Sequence, residues 1–354
     1  MKINPAEKED TAEAETEPPG HLRVGITFNL KKNISSELTD AEAEFDDMET
    51  IEAIKSVLEA EGFVVELYEA AEELPIRLLN RRPDIVFNIA EGSRGRGREA
   101  QVPAILNYLG IPFTGSDETT MCIAMDKALT KRLISSHGVR TPEYRLVKKC
   151  APPPEMDLPF PVIVKPNTEG SSKGISEFSI VHDEAALRRL LEEKINAYKQ
   201  DMLIEEYISG REFTVGILGN PGRLRVFPPM EIIFDDRAGG IYSYEVKRNF
   251  RQYVRYECPP AMDARLLNEI GSTAEIVFRS LSCRDLARID FRLSEEGRLY
   301  FIEINPLPGL ASGYSDFPML AEYSGMDHET LIRSIMGSAL SRYNMPMPGK
   351  RHKL

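Results

Sequence analysis

The residue pattern predicts an α/β domain with a doubly wound parallel sheet, followed by a larger α+β part. Three observations carry that prediction. Apolar strand-like runs alternate with helix-patterned segments from Leu22 to Leu109, the order of a parallel sheet. The glycine-rich stretch Lys165 to Gly174 sits between two further strand-like runs. Finally, Arg288 to Gly309 holds two alternating runs on either side of Ser294-Glu295-Glu296-Gly297, whose turn chemistry makes a β-hairpin.

Taken in order, residues 1–20 are acidic and poor in apolar side chains, so a disordered tail is expected. The first strand is Leu22 to Phe28. Met48, Ile51, Ile54, Val57 and Leu58 recur at helical spacing, with Gly62 as the stop. Phe63 to Tyr68 makes a second strand, Ile76 to Asn80 a short helix, and Ile85 to Ile89 a third strand. A helix then runs to about Leu109. Gly115-Ser116-Asp117 caps one long helix from about Glu118 to Ser136, with Met121, Met125, Ala128, Leu129 and Leu133 as its buried stripe. Lys127 and Lys131, four residues apart, fall on another face, where solvent exposure is the usual fate. The Pro-rich run up to Pro161 reads as a stiff connector. Val162-Ile163-Val164 is a buried strand, and Ile175 to Ile180 suggests another beyond the loop. Met202 to Val215 gives a strand edge, a kink at Gly210, and a second strand reaching Ile217.

Composition excludes several classes. The net charge of −12 argues against a nucleic-acid surface, and only the tail Lys350-Arg351-His352-Lys353 is basic. Cys122, Cys150, Cys258 and Cys283 are scattered, without the spacing of a zinc site or a disulfide framework. No apolar run approaches the roughly 20 residues of a membrane span, so no membrane partner and a cytoplasmic location are expected.

Chemistry concentrates in two places. With a four-residue loop in the hairpin, Leu293 faces Arg298, Ile289 faces Ile302 and Phe291 faces Tyr300, and Ile304 extends that apolar face. Arg288, Asp290, Glu303 and Asn305 then share the opposite face. Two carboxylates and an amide oxygen backed by a guanidinium suit Mg²⁺ or Mn²⁺, which take hard oxygen ligands and leave positions for phosphate and water. A plain Arg288–Glu303 cross-strand pair on a solvated face is the alternative. The Lys165 loop can present several N–H groups and two lysine charges to a phosphate, although it is not a Walker A loop. Gly170 to Gly174 also matches the G-x-S-x-G of serine hydrolases, but strand-like residues follow it where a helix is required. Gly95, Gly97 and Ala100 match a loose dinucleotide fingerprint that would have to follow the first strand, not the third. An arginine-rich loop meeting a small anionic substrate is the preferred reading there, with a merely solvated loop as the alternative.

Four blocks, GIPFTGS…MDKALTK, PVIVKPNTEGSSKGIS, LIEEYISGREFTV and ARIDFRL…YFIEINPLPG, together resemble the ATP-grasp superfamily, and most closely its D-alanine–D-alanine ligase branch, from about Leu22 to Leu340. The resemblance implies a Rossmann-like substrate domain at 21–117, a central ATP-grasp subdomain at 118–215, a catalytic ATP-grasp subdomain at 216–345 and a flexible tail at 346–354. It implies that Lys127 and Lys165 contact ATP phosphates. Glu205 and the Ile208 backbone would meet adenine, and Glu212 the ribose. Asp290, Glu303 and Asn305 would hold Mg²⁺. Arg288 and the Gly309 N–H would stabilise an oxyanion, Ser171 would lie on the closing loop, and Lys247 would reach the γ-phosphate from a flap near Asp235 to Tyr253. The implied reaction phosphorylates one amino acid's carboxylate and joins it to the amine of a second, with a homodimer as the expected assembly.

Substrate positions depart from the family pattern. Glu44-Phe45-Asp46 stands near the missing Glu-Arg-Glu-Val-Ser start, Glu91-Gly92 replaces His-Gly, and Lys247-Arg248 replaces Lys-Tyr. Glu44, Glu91, Arg248 and Ser315 are therefore the expected substrate contacts, and Arg248 points to a larger or more acidic acceptor than alanine. A regulatory ATP-binding protein without turnover is the alternative on the same fold. A Rossmann oxidoreductase is a third reading, but it leaves the hairpin and the Lys165 loop unexplained.

Overall fold

The computed structural model describes residues 22–32, 42–150, 157–170, 173–174, 179–234 and 250–348. The N-terminal sheet is built from β1 (Arg23–Phe28), β2 (Val64–Glu69) and β3 (Ile85–Asn88), in the order β2-β1-β3 and all parallel. The helix α1 (Met48–Ala60) begins where Asp47 accepts the Thr50 N–H, and it buries Ile51, Ile54, Val57 and Leu58 on one face. Removing four such side chains from water stabilises the packing by roughly 1.5–3 kcal/mol each. A short helix, α2 (Leu74–Asn80), precedes β3. After β3, one 3₁₀ turn at Arg98–Ala100 leads into α3 (Gln101–Leu109).

The expected long helix at Glu118 to Ser136 is two helices, α4 (Glu118–Met125) and α5 (Lys127–Ser136). Asp126 separates them in an extended conformation, ψ 95°, and its carboxylate accepts the Leu129 N–H. A capping side chain at this position starts a new helix, and the chain turns there. Of the expected stripe, Met121, Met125 and Ala128 are buried, but Leu129 and Leu133 are only half-buried, and Lys127 and Lys131 face inward.

Beyond α5 lies an antiparallel sheet of β4 (Tyr144–Val147), β5 (Val162–Pro166), β6 (Ile180–Val181) and β7 (Met202–Glu206), in the order β4-β7-β5-β6. The helix α6 (Glu184–Tyr198) covers it through Leu187, Leu190 and Leu191. A second antiparallel sheet contains β8 (Gly210–Leu218), β9 (Arg225–Val226), β10 (Met230–Phe234), β11 (Val254–Glu257), β12 (Leu286–Ser294) and β13 (Leu299–Asn305). The short helix α7 (Phe250–Tyr253) leads into β11, and α8 (Ala264–Ser280) covers the sheet with Ile270, Ala274, Val277 and Phe278. The last helices are α9 (Asp316–Tyr323) and α10 (His328–Arg342). Leu331, Ile332, Ile335 and Met336 of α10 share one core with Val24 and Ile26 of β1 and with α1. The first strand and the last helix are thus packed together. Among the described residues, no helix is long and apolar enough to cross a membrane.

The hairpin forms where the alternation places it, with a different register. Leu293 faces Leu299 and Phe291 faces Phe301 because the loop is one residue longer than assumed, and Ile289 faces Ile304 because a β-bulge then interrupts the ladder between Asp290 and Phe291. The bulge inserts Ile302 as an extra residue. Leu299 and Phe301 can therefore lie in the core on one side of it, and Ile304 on the other, while Glu303 still stands opposite Asp290. The expected pairs of Leu293 with Arg298 and Phe291 with Tyr300 fail because five residues, not four, close the hairpin, and that of Ile289 with Ile302 fails also because strict alternation takes no account of an inserted residue.

Candidate active site

Asp290 and Glu303 are direct partners across β12 and β13, and Arg288 faces Asn305 one step along. Arg288 grips Asp290 with two hydrogen bonds, 3.1 Å from Nε to Oδ1 and 2.9 Å from Nη2 to Oδ2, and reaches Asp316 at 3.3 Å. Thr214 of β8 donates to Asp290 Oδ1 at 2.7 Å. Asn305 Oδ1 accepts the Leu307 N–H at 2.9 Å, which fixes the amide with a lone pair to spare. Gly309 lies against Ser315, whose Oγ would be 2.8 Å from a Cβ placed there.

Lysines come in from the other elements. Lys127, at the start of α5, is 3.5 Å from Glu303 and donates to the Glu169 carbonyl. Lys165 of β5 pairs with Glu205 of β7 at 2.6 Å. Lys131 is 0% exposed; it pairs with Glu205 at 2.8 Å and donates to the Ile302 carbonyl at 3.0 Å. That carbonyl belongs to the bulge residue, so Lys131 joins the Glu205 side of the cleft to the bulge beside Glu303. Glu212 of β8 pairs with Arg292 at 2.7 Å, and Arg292 also donates to the Ile208 carbonyl at 2.8 Å. Glu205, Ile208 and Glu212 therefore border the junction where the chain passes from one antiparallel sheet to the other.

These surroundings push neighbouring carboxylates in opposite directions. Burial raises Glu303, but Lys127, Lys165 and Arg288 outweigh it and hold the group at about 2. Burial raises Asp290; Arg288 opposes that rise, whereas Glu303 adds to it. Burial also lifts Glu212 against the pull of Arg292. Lys131 falls to about 8 because burial outweighs the attraction of Glu205, and Lys165 adds to the fall. A divalent cation suits this donor set. Asp290, Glu303 and Asn305 offer hard oxygens from adjacent strand positions, and a positive charge there would relieve the repulsion between the two carboxylates.

A second group of charges lies where the substrate contacts were expected. Arg98 bonds Glu44 at 2.8 and 2.6 Å and donates to the Thr168 carbonyl at 2.9 Å. The Gly170 N–H donates to Glu44 at 2.8 Å. Glu44, Glu91 and Glu99 line one pocket with Lys127, Glu303 and Asn305. In the arginine-rich loop, Arg98 is therefore a buried internal partner, whereas Arg94 and Arg96 are exposed. Ser171, Lys247 and Arg248 lie outside the described residues.

Sequence reasoning missed Asp316, Thr214, Arg292, Arg98 and Glu99. Alternation along β12 and β8 put Arg292 and Thr214 on the right face, and Glu99 was part of the loop already singled out. Nothing local marked Asp316, which meets Arg288 only through the fold.

Two antiparallel sheets meeting at a cleft lined by lysines and paired carboxylates, behind a parallel domain, define an ATP-grasp protein. The chain belongs to the D-alanine–D-alanine ligase family: the family model described as D-ala D-ala ligase C-terminus matches residues 133–337. A D-alanine–D-alanine ligase of Gloeobacter violaceus is 34% identical over 298 residues, covering 81% of this chain and 92% of that protein. An uncharacterized protein of Sinorhizobium fredii, y4sG, is 34% identical over 270 residues, covering 76% of this chain and 79% of its own length. The fold is also that of Bacillus anthracis D-alanine–D-alanine ligase crystallised with ATP, at TM-score 0.72 and 22% identity, covering 91% of this chain and 99% of that one.

Proposed function

We propose that this protein is an ATP-dependent ligase that joins two amino acids through an acyl phosphate, releasing ADP and phosphate. The observation that carries this is the convergence of Arg288, Asp290, Glu303 and Asn305 on one face of the hairpin, opposite Lys127 and Lys165. The relatives named D-alanine–D-alanine ligase and the related structure complexed with ATP support it.

In this reading Glu205 and Glu212 bound the adenosine end of ATP, and Lys127 and Lys165 meet its phosphates. The γ-phosphoryl group moves to the carboxylate of the first amino acid: a P–O bond to ADP breaks and one to the carboxylate forms. Such transfer is catalysed mainly by positioning and charge neutralisation, which fixed lysines provide. The amine of the second amino acid then attacks the acyl carbon and phosphate leaves. Negative charge develops on the acyl oxygen, where Arg288 and the Gly309 N–H are its stabilisers. Asp316 and Asp290 hold the guanidinium in place from two sides. Asp290, Glu303 and Asn305 would hold Mg²⁺, which supplies further neutralisation of the phosphates when bound.

The test follows ADP release with ATP and Mg²⁺ across D- and L-amino acids, with the peptide product identified by mass spectrometry. Amino-acid-stimulated ADP release matched by peptide, lost with EDTA and restored by Mg²⁺, is expected. ATP binding with no stimulated turnover would favour the regulatory alternative and overturn the proposal.

A further inference from the structure

The pocket where the substrate contacts were expected carries more carboxyl groups than its own cations match. Oxygens of Glu44, Glu91 and Glu99 lie within 4.8 Å of one another. Glu44 is matched by Arg98 at 2.6 Å and Lys173 at 3.7 Å, and Glu169 by the same two cations at 3.2 and 2.8 Å. Two carboxylates thus meet two cations. Among the described residues, Glu91 and Glu99 make no hydrogen bond or ion pair through their side chains. Glu99 is only 8% exposed, and it lines the pocket that also reaches Glu303 and Asn305. A buried carboxylate without a partner is rare in folded proteins.

The surroundings register the same imbalance. Burial, then Glu44, lifts Glu99 to about 7, and burial with Glu99 and Glu44 lifts Glu91 well above its ordinary range. A single ammonium would match one of these two carboxyl groups and leave the other buried without a partner.

We propose that the amino acid activated in this pocket carries a second cationic group besides its α-ammonium, seated between Glu91 and Glu99. The substrate class is therefore a diamino acid, not an alanine-like one. This inference rests on the ligase reading above. The two carboxylates supply its selectivity: each accepts from the ammonium groups, and an uncharged side chain would leave one of them without a partner.

The experiment compares kcat/KM for ADP release with D-alanine, diaminopropionate, ornithine and lysine in both configurations, for the native protein and for Glu91→Gln and Glu99→Gln. A diamino acid should be preferred over D-alanine by about tenfold or more, the scale of a charge-assisted hydrogen bond. Either variant should collapse that preference. Because it is a ratio within one protein, partial loss of folded material does not change it. Equal turnover of D-alanine and the diamino acids, or a preference that survives both substitutions, would overturn this inference and leave the ligase reading standing. ADP release stimulated by no amino acid would overturn both.

Discussion

Replacing Lys131 with Met tests how the buried charges behind the cleft are balanced. Glu205 is one carboxylate between two buried ammonium groups, Lys165 at 2.6 Å and Lys131 at 2.8 Å. The surplus falls on Lys131, which burial lowers from 10.5 to about 8. Between those values the folded protein holds Lys131 neutral, while the unfolded chain still binds its proton. Stability from this group therefore rises with pH from about 8 to 10.5, and is level below and above that window. At ~1.36 kcal/mol per pKa unit, the full change amounts to about 3 kcal/mol. Met does not titrate, and groups outside the Lys131, Glu205 and Lys165 cluster cancel in the difference between the two proteins. Urea unfolding across the window should show the native protein gaining about 3 kcal/mol on Lys131→Met. Parallel stability curves would refute the reasoning. The variant also leaves the Ile302 carbonyl without its ammonium donor, so ADP release should fall even at neutral pH.

Three further outcomes are expected. Arg288→Lys keeps the charge but loses the two-point grip on Asp290, and kcat for peptide formation should fall about 10²–10³-fold with an unchanged circular dichroism spectrum; retention of near-native turnover would remove Arg288 from the chemistry. Gly210→Ala places a Cβ 2.1 Å from the Leu293 carbonyl at φ +132°, so thermal unfolding should report a loss of about 3 kcal/mol. A native melting temperature would show that β8 can shift away from β12. Asp126→Ala removes the cap of α5 and the 2.9 Å partner of Asn167, and should cost about 1 kcal/mol in denaturant unfolding and raise KM for ATP; no change in either would separate the helix break from nucleotide binding.

The parallel sheet was legible because its strands and helices announce themselves locally, in periods of two and of 3.6. The same holds for α1, whose apolar spacing and stop at Gly62 are both in the chain, and for the face that Asp290 and Glu303 share. The register around that pair was not legible. An inserted residue such as Ile302 leaves no mark in an alternating pattern. It persists because Leu299 and Phe301 bury on one side of it and Ile304 on the other. The helix break was half visible, since Asp126 is a capping residue, but its neighbours continue a helical pattern.

From residue types and spacing alone, this chain determined a parallel α/β domain, a lysine-bearing loop and a hairpin carrying two carboxylates, because each depends on neighbours a few positions apart. Only the tertiary structure decided which partner each buried charge meets. Arg98 and Glu44 are 54 residues apart, and Lys131 and Ile302 are 171 apart. Such pairs form when packed elements exclude water from a shared space, where a charge must find a partner wherever the chain supplies one.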